Sequence, residues 1–148
     1  MKAYKVYRIS DGTAIDHIPA GRGLDVLRIL GIEDDKFTTL GINLSSTKYG
    51  KKDLVKFENK FLDEKEFNKI ALIAPTATFN ILKEGKIIKK TRVKLPKEVI
   101  GLVKCSNPNC ITNHEYVVTN FEIVNDYPLK IKCHFCEKIM SHEDIIML

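Results

Sequence analysis

The chain has no glutamine and no tryptophan, and only four of its 148 residues are cysteine. So few thiols exclude a small disulfide-dense secreted scaffold. No apolar run approaches the ~18 residues that a helical membrane span needs. The opening residues, MKAYKVYRISDG, are charged and alternating, unlike a secretory leader, and the expectation is a cytoplasmic chain with no membrane partner. GxSxG, Walker A, GxGxxG and HExxH are all missing, which removes the chemistries those motifs carry. No aromatic is interleaved with basic residues as a single-strand nucleic-acid platform requires. Missing glutamine beside plentiful Lys, Glu and Ile is a composition met in heat-adapted proteins.

What is present is concentrated in two pairs of cysteines. Cys105-Ser106-Asn107-Pro108-Asn109-Cys110 is followed, after 22 residues, by Cys133-His134-Phe135-Cys136. Each pair can curl its thiolates around one side of an ion, and the segment between is long enough for two strands to return the second pair to the first. CxxxxC…CxxC is the spacing of a structural Zn2+ site. Four sulfurs fill a tetrahedral zinc, leaving no open position for substrate, so the ion would hold a fold rather than catalyse. Two disulfides are the alternative in an oxidising compartment, and a redox CxxC at Cys133 and Cys136 leaves Cys105 and Cys110 unexplained. His114, His134 and His142 lie near as surface or supporting residues, and Lys104, Lys130, Lys132 and Lys138 can offset the charge of a tetrathiolate.

The charge is unevenly spread. Residues 1–94 hold 19 Lys/Arg against 12 Asp/Glu, whereas residues 95–148 hold 5 against 7. A zinc ribbon gripping nucleic acid needs a basic surface of its own, so a zinc-ribbon nucleic-acid-binding factor is only the alternative reading. Any anion site belongs to the N-terminal part.

Alternation over 3–9 and 13–18 predicts strands on either side of the Asp11-Gly12 turn. Leu24, Leu27 and Leu30 predict a helix closed by Gly31. Residues 37–44 and 51–57 predict a hairpin. Asp63 with Glu66 marks the start of a second helix, with Phe67, Ile70 and Ala71 buried, running toward Pro75. Residues 77–82 and 86–93 predict a last hairpin. The order is that of an α+β, ferredoxin-like antiparallel sheet with two helices, followed by a small all-β zinc-ribbon-like domain. The boundary falls near Lys94–Glu98, giving domains 1–94 and 95–148. In the second domain the segment 100–103 precedes the first cysteine pair, strands are expected near 116–119 and 121–124, 129–132 leads to the second pair, and a final strand or turn falls at 144–148.

No catalytic constellation emerges. Asp16 and His17 are adjacent, but neighbours on a regular strand point to opposite faces and cannot orient each other. Lys52 and Lys56 flank Leu54 on one strand face and can converge on one anion, although a solvated charged face is the simpler reading.

Several stretches taken together carry a resemblance: Thr13–Ala20 (TAIDHIPA), Gly41–Leu44 (GINL), Gly50–Asn59 (GKKDLVKFEN), Ala71–Asn80 (ALIAPTATFN), Leu95-Pro96, and the cysteine module with Asn109-Cys110-Ile111 and Cys136-Glu137. In this order and spacing the chain resembles the regulatory chain of aspartate carbamoyltransferase over essentially its full length. The resemblance implies a non-catalytic subunit of a pyrimidine-biosynthesis enzyme. Its N-terminal domain would bind CTP, ATP and UTP as allosteric effectors, and its zinc domain would dock on the catalytic chain. Homodimers of such chains would join two catalytic trimers into a heterododecamer. Carried onto this sequence, the effector-site positions are Ile9, Asp16, His17, Lys52, Lys56, Asn80 and Lys90, the last facing the triphosphate. The metal ligands are Cys105, Cys110, Cys133 and Cys136, and the partner interface includes Asn107, Asn109 and Glu137. No nucleic acid is expected among the partners.

Overall fold

A computed structural model describes residues 8–32 and 35–148. Most of the strand expected over 3–9 therefore lies outside the described residues. The chain divides into two units, Met1–Lys94 and Leu95–Leu148.

In the first unit, β1 (Gly12–Pro19), α1 (Gly23–Leu30), β2 (Thr38–Ser46), β3 (Gly50–Glu58), α2 (Glu64–Asn68), β4 (Thr78–Lys83) and β5 (Lys86–Arg92) follow one another. They form one sheet in the order β2-β3-β1-β4-β5, with every neighbouring pair antiparallel. This is the expected ferredoxin-like arrangement, with β5 added at an edge. Alternation decides the faces: on β3, Asp53, Val55 and Phe57 are buried while Lys52, Leu54 and Lys56 are half-buried. Ile15, Val55, Phe57 and Phe79 form the helix-side core, where Phe67 of α2 stacks on Phe79 with ring centroids 3.9 Å apart. Among the described residues, the sheet face carrying the lysines is only half-covered.

Asp53 is buried, yet its charge is satisfied. One carboxylate oxygen accepts from the N–H groups of Gly21 (3.1 Å) and Gly23 (2.9 Å), and the other from Asn43 (3.0 Å). It thereby serves the N-terminal amides of α1, where a negative charge is favoured and where Arg22 provides no side-chain cap. A Cβ on Gly23 would sit 2.7 Å from Leu40 and 2.9 Å from the Asp53 carboxylate, so this contact needs glycine.

The second helix is shorter than its periodicity suggested. Asp63 caps it by accepting from the Glu66 N–H at 2.9 Å, as expected, but it ends at Asn68. From there to Ala74 the chain winds in tight turns, with bonds such as Ala71 N–H to the Asn68 carbonyl at 3.2 Å. Ile70 to Ala74 are all buried, and a surface helix with one apolar stripe cannot bury five consecutive side chains.

The second unit is all-β. Strands β6 (Glu98–Ile100), β8 (Asn120–Asn125), β9 (Lys130–Cys133) and β10 (Ile139–Ser141) make a sheet in the order β10-β9-β8-β6, and β7 (Val103–Lys104) pairs with β11 (Ile146–Met147). Val99, Val103, Phe121, Leu129, Ile131, Met140 and Ile145 fill its core. The strand expected over 116–119 does not form. Tyr116 and Val118 face solvent there, no inward-facing apolar pair anchors the segment, and pairing starts at Asn120.

Candidate metal centre and anion site

Strand register builds the first site. Across β3, β1, β4 and β5, Lys56 lies opposite Ala14, Ala14 opposite Asn80, and Asn80 opposite Lys90. Directly opposed residues share a face, so two lysines flank an amide in a single row. A second row runs Asp16, Thr78, Arg92. The register of β1 against β3 shifts between Ile15 and Ile18, and within this bulge His17 adopts a left-handed backbone, φ 57°. A regular strand would send His17 to the face away from Asp16. The bulge turns it back: its Nδ1 lies 2.9 Å from the hydroxyl of Thr78, the residue opposite Asp16. The neighbours do orient each other, since the His17 N–H donates to the Asp16 carboxylate at 2.7 Å. The Thr76 hydroxyl holds the His17 carbonyl at 2.7 Å, and Tyr49 packs edge-on against the ring.

Six of the seven expected positions line two adjoining clefts on this face. One, of about 340 Å³, is lined by Arg8, Ile9, Ala14, Asp16, Leu54, Lys56, Asn80, Leu82, Gly85 and Ile87. The other, of about 520 Å³, is lined by His17, Lys48, Tyr49, Thr76, Thr78, Lys90, Thr91 and Arg92. Lys52 joins them through Asp16, with 2.9 Å between its Nζ and the carboxylate. Burial pushes the Asp16 carboxyl up, but the Lys52 and His17 hydrogen bonds outweigh it and hold the acid below its ordinary 3.8. Burial lowers Lys56 below 10.5, with Arg8 acting the same way and Asp16 against it. An anion seated beside Lys56 reverses that cost. The buried Oδ1 of Asn80 has no hydrogen-bond partner among the described residues, so a ligand N–H or O–H would satisfy it. The arrangement offers an apolar slot for a flat ring, one open acceptor, and cations spaced along a row for a chain of phosphates. Lys48, Tyr49, Thr76 and Thr78 carry no sign in the sequence: the β2–β3 turn supplies Lys48 and Tyr49, the turn before β4 supplies Thr76, and strand register sets Thr78 beside Arg92.

The second site is made by turns. The sulfurs of Cys105, Cys110, Cys133 and Cys136 all lie within 4.8 Å of one another. Cys105 and Cys136 are 3.6 Å apart and Cys110 and Cys133 3.8 Å. A disulfide needs about 2.05 Å. A tetrahedral ion bound at about 2.3 Å has edges of about 3.8 Å, so four thiolates at these separations fit a metal. No histidine belongs to the cluster; the His114 ring instead contacts the Pro108 carbonyl at 2.7 Å. Burial pushes the Cys105 thiol up to about 12 and raises Cys133. For Cys136 burial is outweighed by hydrogen bonds from the Asn107 side chain and the Lys138 N–H, which bring it to about 6. A metal must therefore displace protons as it binds.

Asn107, Asn109 and Glu137 surround this cluster. Asn107 accepts from the Asn109 N–H at 3.0 Å through Oδ1, and Asn109 and Glu137 are exposed. Glu137 takes a left-handed turn, φ 64°, its N–H bonded to the Cys133 carbonyl at 2.9 Å. Among the described residues no helix is long and apolar enough to cross a membrane.

Two family models match. Residues 4–94 match the aspartate carbamoyltransferase regulatory chain, allosteric domain, and residues 97–146 match the same chain's metal binding domain. The chain is 50% identical over 149 residues to an aspartate carbamoyltransferase regulatory chain of Pyrococcus horikoshii, covering 99% of this chain and 98% of the relative. It is 49% identical to that of Thermococcus sibiricus (99% and 97% covered) and to that of Korarchaeum cryptofilum (95% and 92%). The clustered thiols and the two matched halves lead to one conclusion: the chain belongs to the family of aspartate carbamoyltransferase regulatory chains, non-catalytic subunits with an allosteric and a metal-binding domain.

Proposed function

We propose that the chain binds CTP, ATP and UTP on the half-covered sheet face of its first unit and joins catalytic trimers through its second. Ile9, Asp16, His17, Lys52, Lys56, Asn80 and Lys90 form the effector site. The observation that carries this reading is the row Lys56, Ala14, Asn80, Lys90 beside an apolar slot. Ammonium groups act as point charges on a triphosphate, the slot takes the base, and the Asn80 amide reads a polar group of the nucleoside. Asp16 holds Lys52 and the His17 backbone in place.

Bound nucleotide shifts a two-state equilibrium of the assembly only by its difference in affinity for the two states, typically ~1–3 kcal/mol. Zn2+ held by Cys105, Cys110, Cys133 and Cys136 supplies structural cross-linking and no reaction chemistry. The loops around it present Asn107, Asn109 and Glu137 to the catalytic chain. Two such chains form the homodimer that links trimers into a heterododecamer in the cytoplasm. The nucleic-acid alternative is not favoured, since both halves match regulatory-chain domains.

Mixing the chain with aspartate carbamoyltransferase catalytic trimers and sizing the product, with and without zinc, tests the reading. A zinc-dependent large complex whose substrate response moves with CTP is expected. Trimers that elute unchanged beside the zinc-loaded chain would overturn it.

A further inference from the structure

Among the four sulfurs, that of Cys110 has a hydroxyl donor close by. Backbone N–H groups serve three of the sulfurs: that of Asn107 at Cys105, those of Cys136 and Phe135 at Cys133, and that of Lys138 at Cys136. At Cys110 the residue two positions on is Thr112, and there a side chain serves: its hydroxyl donates to the Cys110 sulfur at 3.2 Å. Cys110 is 1% exposed, so bulk water does not supply that bond.

Thr112 is held in place independently of the sulfur. It is the middle residue of the 3-10 turn Ile111–Asn113, which starts from Cys110. Asn113, next along, clamps the turn to the first cysteine loop, its side-chain amide donating to the carbonyls of Cys105 (2.9 Å) and Asn107 (2.8 Å). The hydroxyl is thus prepositioned at a sulfur whose lone pair it can orient.

We propose that Thr112 is a positioning residue of the metal centre, aiming the Cys110 thiolate and setting how firmly the ion is retained. This rests on the metal reading of the four-cysteine cluster. Groups supporting a metal's ligands typically change affinity 10–100-fold when removed. A single neutral hydroxyl belongs at the low end, about tenfold.

The test uses the full chain with Thr112→Val, which removes the hydroxyl at nearly constant volume, and Thr112→Ser, which keeps it. Zinc is competed away with a chromophoric chelator, and cobalt(II) is substituted to read the thiolate-to-metal charge-transfer band. Val should weaken zinc retention by about tenfold and move the band to lower energy, since the sulfur keeps more of its electron density. Ser should restore both. Retention and band unchanged in Val would overturn the proposal. Weaker retention with an unmoved band would overturn it too, because Thr112 would then be only packing. Unsubstituted chain that takes up no metal would overturn the metal reading itself, a failure visible without any variant.

Discussion

The two candidate sites solve the problem of holding a ligand in opposite ways. The metal centre is buried, made by turns, and its donors come from two short loops. The anion site lies on a half-open sheet face, and its groups are scattered over more than eighty residues, from Arg8 to Arg92. The first needs an ion to turn its four sulfurs into a set of thiolates, because burial keeps Cys105 and Cys133 protonated until a metal displaces the protons. The second is already assembled: Asp16 occupies Lys52, Thr78 holds His17, and Phe67 and Phe79 fix the sheet from behind. On the proposed function, metal is part of one unit's fold, whereas a nucleotide is a guest on the other.

The largest effect should come from breaking the metal centre. Chelation, or Cys133→Ser, removes a contribution that is about 10 kcal/mol or more for structural zinc sites. Circular dichroism and limited proteolysis should show residues 95–148 unfolding while 1–94 stays protected. Cleavage spreading at equal rate through both units would remove the contrast drawn here.

A middling effect is expected at the guest site. Lys56→Ala should weaken CTP binding by about 1.5–3 kcal/mol, the usual value of a hydrogen bond to a charged group, with little change in melting temperature. Because burial holds Lys56 below the ordinary lysine value, a phosphate against it raises that value again. Calorimetry in buffers of different ionisation enthalpy should find proton uptake on CTP binding in alkaline solution, and Lys56→Ala should abolish it.

The smallest effect concerns acid. The folded-state pKa of Asp16 lies below its ordinary 3.8, so its ion pair stabilises the first unit above that value, and the contribution is lost as pH falls through the folded value. Asp16→Asn should flatten the stability–pH curve of this unit below about pH 4, by about 1 kcal/mol or less for a partly exposed pair. An unchanged acid limb in urea titrations would remove Asp16 from that role.

What could be read from the sequence follows from the same contrast. A metal knuckle is local, so the spacing of four cysteines is enough to announce it. Strand order was legible from element order and alternation. Register was not, because pairing partners lie tens of residues apart, so Thr78 beside His17 and Arg92 beside Thr78 had no local sign. The bulge at Asp16-His17 was hidden for another reason: a left-handed residue is usually flagged by glycine or asparagine, and here it is a histidine. The early end of α2 was concealed because a continuous buried run in turns carries the same apolar residues as a helix stripe. Thr112 escaped notice because nothing distinguishes a threonine beside a ligand cysteine from a surface one until its distance is known.

The most direct test of this division is calorimetric titration of CTP into the chain before and after zinc is stripped. Affinity should be retained within about twofold while association with catalytic trimers disappears, as expected if the metal supports only its own unit. Loss of CTP binding along with the metal would contradict the account.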